Sequence, residues 1–137
     1  MVLIDRITEL DFLYMYRELK AYKLAFRQAM DIYNISKLFP KEEKYSLTDQ
    51  VRRSSRSVCA NIGEAYRKRQ YKPYFINKLS DSDMENTETI IWIDFAFNCD
   101  YINSKQHKEL IDKGFEIGRI LNFMIRFPEK FLPKNSK

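Results

Sequence analysis

Glycine and proline are scarce in this chain, three and four among 137 residues. A strand-and-turn architecture needs turn residues every 8–12 positions or so, so helices are the economical reading. Histidine occurs once, as His107. The di-metal chemistry of helical bundles draws on two Glu-x-x-His motifs; His107 has Ser104 three residues before it, which excludes that site. His107 is expected at the surface, near the start of the last helix. The two cysteines, Cys59 and Cys99, lie 40 apart without a metal-type spacing and read as reduced, buried thiols. No window approaches the roughly 18 uninterrupted apolar residues of a membrane span. Met1 to Arg6 lacks the charged-then-apolar pattern of a signal peptide, so a cytoplasmic protein with no membrane partner is expected.

Signs of catalysis are equally thin. Ser54, Ser55, Ser57 and Cys59 have no histidine within reach in sequence, and no Gly-rich phosphate loop appears. The serines read instead as small residues that let helices approach closely. Asp81, Asp83 and Glu85 alternate as in a hard-cation loop, but such a loop needs a glycine at its turn and none is near. The expectation is no enzyme, no metal and no cofactor.

What is present fits an ordinary globular domain: 45% hydrophobic and 31% charged residues. A chain of this length forms one domain and buries roughly two-thirds of its unfolded surface without disulfide or metal. The periodicity predicts an all-α, antiparallel up-down four-helix bundle over residues 18–128. Residues 1–17 form an N-terminal extension and residues 129–137 a loose tail. Helix one runs from about Glu18 to Leu38, its inward stripe Tyr22, Phe26, Ala29, Tyr33 and Ser36, with Ala25, Ile32 and Phe39 beside it; Pro40 ends it. Ser46 and Asp49 resemble a capping box for helix two, which carries Leu47, Val51, Ser55, Val58, Ile62 and Ala65 or Tyr66 inward to about Gln70. Helix three starts at Pro73 and runs to about Cys99, its apolar stripe interrupted by a polar middle. Asn103-Ser104 opens helix four, with Leu110, Ile111, Gly114, Ile117, Leu121 and Ile125 inward. Phe12 to Tyr16 are five apolar or aromatic residues in succession. They either cap the end of the bundle or make a subunit contact.

The charge distribution is asymmetric. Helix two and the turn after it hold Arg52, Arg53, Arg56, Arg67, Lys68 and Arg69 against one acid, Glu64. Between Leu79 and Ser104 lie Asp81, Asp83, Glu85, Glu88, Asp94 and Asp100 with no Lys or Arg. Arg52, Arg56 and Arg67 share a helix face with Gly63 between them, and Asp81, Glu85 and Glu88 share a face of helix three. Two readings stay open: the faces pair across the bundle or between subunits, or the arginines meet phosphate, which suits their forked donors. Tyr66 to Tyr71, basic with flanking tyrosines, is the local candidate for nucleic-acid contact. The net charge of +5 is compatible with an acidic partner.

The stretch from Leu47-Thr48-Asp49-Gln50-Val51-Arg52-Arg53 through Ala60-Asn61-Ile62-Gly63-Glu64-Ala65 resembles the signature of the four-helix-bundle family of 23S rRNA intervening-sequence proteins. The resemblance covers about residues 19–127, with Asp100-Tyr101-Ile102 where the family has Gly-Tyr-[Leu/Ile]. This chain departs from the pattern at Gly63 (usually Ala), Ala65 (usually Gly) and Met84-Glu85 (often Gly-Ser). Glu88 matches the first glutamate of the family's Glu-Leu-Glu, and Ile90 replaces the second. The resemblance implies a homopentamer; some members are encoded within insertions in large-subunit ribosomal RNA genes. A related branch, the accessory proteins of diversity-generating retroelements, binds nucleic acid and a reverse transcriptase. The expectation is an oligomeric bundle that binds nucleic acid, RNA foremost, through helix two and the turn after it. The alternative is a protein–protein scaffold ring whose arginines are used in ion pairs. Asn61, Glu64 and Glu88 are expected in structural roles, Asn61 hydrogen-bonding a neighbouring helix.

Overall fold

The computed structural model describes residues 12–133, and four helices carry most of them: α1 (Lys20–Ser36), α2 (Leu47–Arg67), α3 (Lys72–Asn98) and α4 (Ser104–Arg126). Short 3-10 turns stand at Met15–Glu18, Lys41–Glu43 and Pro128–Lys130, and no strand occurs among the described residues. Each helix packs against the one before and after it, and α4 closes on α1. Consecutive helices run in opposite senses: Ser54 meets Thr89 while Val58 meets Ser82, and Asp94 meets His107 while Asp83 meets Asn122. Expectations for residues 1–11 and 134–137 lie outside the described residues.

The interior is divided along its length. One apolar cluster gathers Ala21, Ala25, Ile62, Phe75, Leu79 and Leu121 at one end, and another gathers Ile32, Val51, Ile93, Ala96 and Leu110 at the other. Full burial of a side chain such as Leu79 or Ile93 is worth about 1.5–3 kcal/mol. Between the clusters the core is polar. The buried face of α3 runs Phe75, Leu79, Ser82, Asn86, Thr89, Ile93, Ala96, an alternation of four and three. The polar middle of this helix therefore does not interrupt its inward stripe; it belongs to it. Ser82 Oγ donates to Val58 O (2.8 Å), Asn86 Nδ2 to Gly114 O (2.9 Å) and Thr89 Oγ1 to Ser54 Oγ (2.8 Å). From α1, Gln28 Nε2 donates to Leu110 O at 2.9 Å. Each such bond nets only about 0.5–1.5 kcal/mol, but leaving a buried group unpaired costs about 1–3 kcal/mol.

Helix α1 turns a different face inward from the one its aromatics suggest. Its buried residues are Ala21, Ala25, Gln28, Ala29, Ile32 and Ser36, whereas Phe26 is 53% exposed and Tyr22 and Tyr33 only half-buried. The small side chains bring α1 close to the core and leave no room there for the rings. On α2, Ala65 is buried and Tyr66 lies at the border.

The helix ends have identifiable chemistry. The expected Ser46–Asp49 box does not form. Glu43 takes its place, its carboxylate accepting from Ser46 Oγ (2.6 Å), Leu47 N (3.3 Å) and Tyr101 Oη (2.8 Å). These bonds, Ser46's foremost, hold the Glu43 carboxyl below the usual carboxylate range. At α4, Asn103 and Gln106 form a reciprocal capping box. Just past α4, Glu129 pairs with Lys72 at 2.6 Å, and Phe131 packs on Phe75 and Phe123. Cys59 is buried as expected, but Cys99, just past the end of α3, is exposed.

Helix α3 stops through Asp100, which adopts φ 64°, the left-handed conformation. Tyr101 N bonds Ala96 O (2.9 Å) and Asp100 N bonds Phe97 O (3.0 Å), the paired bonds of a glycine-type helix stop. A side chain at this backbone setting is strained, by about 1 kcal/mol. Asp100→Gly is therefore expected to stabilise the fold by about 0.5–1 kcal/mol in urea unfolding; unchanged or lowered stability would show that the aspartate offsets its own strain.

Candidate nucleic-acid interface

The aromatic stripe that α1 excludes from the core faces α2. Tyr22, Phe26, Ala29 and Met30 form one wall of a groove of about 940 Å³. Arg56, Ala60, Gly63 and Arg67, at successive turns of α2, form the other. The near end is closed by Tyr16 from the first 3-10 turn and by Lys68 and Tyr74 beyond α2. Tyr16 lies against Gly63 so closely that a Cβ there would stand 3.2 Å from its ring. The rings of Tyr16 and Tyr22 meet edge to face at 5.2 Å, and Tyr22 lies 6.2 Å from Phe26, making a continuous aromatic surface. Over Phe26 and Met30 this surface continues into a second hollow edged by Arg17, Lys23 and Arg27.

The six basic residues singled out in sequence have different fates. Arg53 crosses to α3 and pairs with Glu88 (2.9 Å) and Glu85 (3.2 Å). Arg52 is half-buried, its Nε donating to Ser36 Oγ at 2.7 Å and its guanidinium over the Tyr33 ring. Arg69 is only 4% exposed: it lies between the Phe12 and Tyr66 rings (4.1 and 3.9 Å) and donates to Tyr66 O at 2.8 Å. Burial lowers the affinity of that guanidinium for its proton. Of the six, Arg53 is thus paired with two carboxylates and Arg69 is covered. Arg56, Arg67 and Lys68 remain exposed on the groove rim, with no ion-pair partner among the described residues. They rest on aromatic faces: Arg56 over Tyr33, Arg67 over Tyr14, Lys68 over Tyr74.

Among the other motif residues, Asn61 is half-buried and accepts from Lys78 Nζ of α3 at 3.4 Å. Glu64 lies 3.8 Å from the same ammonium and is the sole carboxylate among the groove-lining residues. Glu88 accepts from Arg53 and from Trp92 Nε1 (3.3 Å), and so braces α3 to α2. His107 is stacked on Phe97 at 4.2 Å and bonded to Asp94 (2.9 Å), more enclosed than a plain surface residue.

Chemically the groove offers rings, cations and little else. Cys59 lies on its floor, but burial pushes the thiol up to about 11, far from the thiolate a nucleophile needs. Among the described residues no three His, Cys, Asp or Glu side chains are grouped to hold a metal ion, and no helix is long and apolar enough to cross a membrane.

Sequence reasoning misses the outward aromatic wall of Tyr22 and Phe26, although it carries a signal. Helix α1 has two apolar stripes, alanines and rings, where one core-facing stripe suffices.

The family model described as 23S rRNA-intervening sequence protein matches residues 17–123, so the chain belongs to that family. Among solved structures it is similar to a protein of unknown function from the S23 ribosomal protein family of Bacteroides thetaiotaomicron VPI-5482. The two are 30% identical over 77% of this chain and 98% of that one, with a TM-score of 0.70. No curated protein matches the chain.

The contrast between covered and exposed cations can be measured. Arg69→Gln is expected to cost about 1–3 kcal/mol in urea unfolding, through the lost ring contacts and the loosened turn. Arg67→Gln and Lys68→Gln should each stay within about 0.5 kcal/mol of the parent chain. Equal effects at all three positions would contradict the burial of Arg69.

Proposed function

We propose that this member of the 23S rRNA-intervening sequence protein family is a non-enzymatic, oligomeric, cytoplasmic bundle that binds nucleic acid, RNA foremost, along the α1–α2 face. The observation that carries this reading is the sorting of the cations. Those that the fold needs are paired or buried, while Arg56, Arg67 and Lys68 stand exposed around one groove without a carboxylate partner among the described residues. Arginine's planar fork matches phosphate oxygens, and an unpaired cluster gains by releasing the counterions of a polyanion.

Self-association is supported on other faces. Met84, Ile91 and Phe95 form an exposed row on α3, and Phe115 and Phe123 another on α4. Exposed apolar side chains grouped on one helix face suit a contact site, and the aromatic total of ten Phe and nine Tyr exceeds what the two small core clusters hold. Five subunits is the number that the family resemblance implies. The second reading, a scaffold ring for protein partners, is favoured by Arg53, which is consumed inside the bundle as that reading requires.

Two measurements test the proposal. Light scattering should give a multiple of 16.6 kDa, and a clean monomer would contradict the oligomer. A short RNA should bind with a log–log salt slope of about −0.7 per phosphate contact, and the variant Arg56→Gln/Arg67→Gln/Lys68→Gln should flatten that slope by roughly 2. Unchanged affinity and slope in the triple variant would move the function to the scaffold reading.

A further inference from the structure

The groove has a second property that phosphate contacts alone do not use. A basic patch that reads only backbone charge needs no cavity and no rings. Here the cations line a concave surface whose opposite wall is aromatic, with Phe26 53% exposed and Tyr16, Tyr22 and Tyr74 around it. An exposed ring in a groove is a stacking platform, and what stacks on it must offer a free π face. Paired bases within a duplex have their faces covered by their neighbours; unpaired bases do not.

Resting on the nucleic-acid reading above, we infer that the α1–α2 groove is a single-strand site: unpaired bases stack on Phe26 and Tyr22 of α1 while the backbone runs along Arg56 and Arg67 of α2 and Lys68 just beyond it. The dimensions agree. Arg56 and Arg67 stand three helical turns apart, about 16 Å at 1.5 Å per residue. A short run of a few unpaired nucleotides spans that distance. The polarity agrees as well. Within the groove, Arg56 and Arg67 lie on the α2 wall and Tyr22 and Phe26 on the α1 wall, as a strand with phosphates along one edge and bases along the other requires. Glu64, the sole carboxylate of the lining, is engaged by Lys78 from outside the groove and leaves the rim net positive. The thiol of Cys59 on the floor stays protonated and adds no charge. An acidic peptide would satisfy the cations but makes no use of the exposed ring of Phe26.

The test uses the full chain with two labelled probes, a 12-nucleotide oligouridine and a blunt RNA duplex of 12 base pairs. Phe26→Ala is expected to lower oligouridine affinity about tenfold, with the salt slope unchanged, and to leave the weaker duplex binding where it was. Phe26→Tyr, which keeps the ring, should restore it. Because Phe26 is outside the core, the variants should melt as the parent does. If oligouridine binds but Phe26→Ala leaves its affinity intact, or if the duplex binds as tightly as the single strand, the single-strand site is overturned while nucleic-acid binding stands. It is overturned equally if Phe26→Ala alters the oligomeric mass and not the affinity, since a second copy then occupies the groove. If neither probe binds at low salt, the underlying function is wrong and this inference falls with it.

Discussion

The buried polar layer at the middle of the bundle sets the geometry on which everything else rests. Asn86, Thr89 and Ser82 of α3 each reach a partner on another helix, and Gln28 of α1 reaches α4. Polar groups this deep must find partners at fixed heights, because sliding a helix by one turn would leave several unpaired at once. An all-apolar core has no such preference. Helices α3 and α4 also pack tightly beside this layer: a Cβ on Gly114 would stand 2.9 Å from Ile90 Cγ1, so any larger residue there would have to displace the Ile90 side chain. With α1 approaching through alanines, the rings of Tyr22 and Phe26 have no place inside. The aromatic groove is therefore a consequence of how tightly the core is closed, and not an accident of the surface.

The same constraint separates what is legible in the sequence from what is not. The four helices are legible because apolar residues recur at three and four, and because Pro40, Pro73 and Asn103 mark their ends. The inward role of Ser82, Asn86 and Thr89 is not. A polar residue at a core position looks exposed until the carbonyl or hydroxyl that satisfies it is known, and those partners lie 24 to 35 residues away. The ring stripe on α1 is visible in sequence but points inward on paper, since periodicity gives the spacing of a face and not its destination. Likewise the basic run of α2 and its turn is plain, but composition alone does not tell Arg69, covered between two rings, from Lys68 beside it. The strain at Asp100 announces itself only as a departure from the glycine that the family pattern has there.

Electrostatically, α2 does two jobs with one composition. Arg53 closes the α2–α3 seam against Glu85 and Glu88. On the neighbouring strip and just past the helix end, three cations are held on aromatic faces, which orient them without neutralising them. A ring under a guanidinium contributes about 0.5–1 kcal/mol at an exposed site. That is enough to bias its direction and too little to compete with a phosphate.

Photo-crosslinking addresses the central claim most directly: that the α1–α2 groove is the surface that meets nucleic acid. Irradiating the chain bound to a 4-thiouridine oligonucleotide and mapping the adducts by mass spectrometry names the contact residues without any substitution. Adducts on Tyr22, Phe26 and Tyr74 are the expected result. Adducts confined to the outer rows of α3 and α4, at Ile91, Phe95 or Phe115, would contradict it and place the nucleic acid on the faces assigned here to subunit contact.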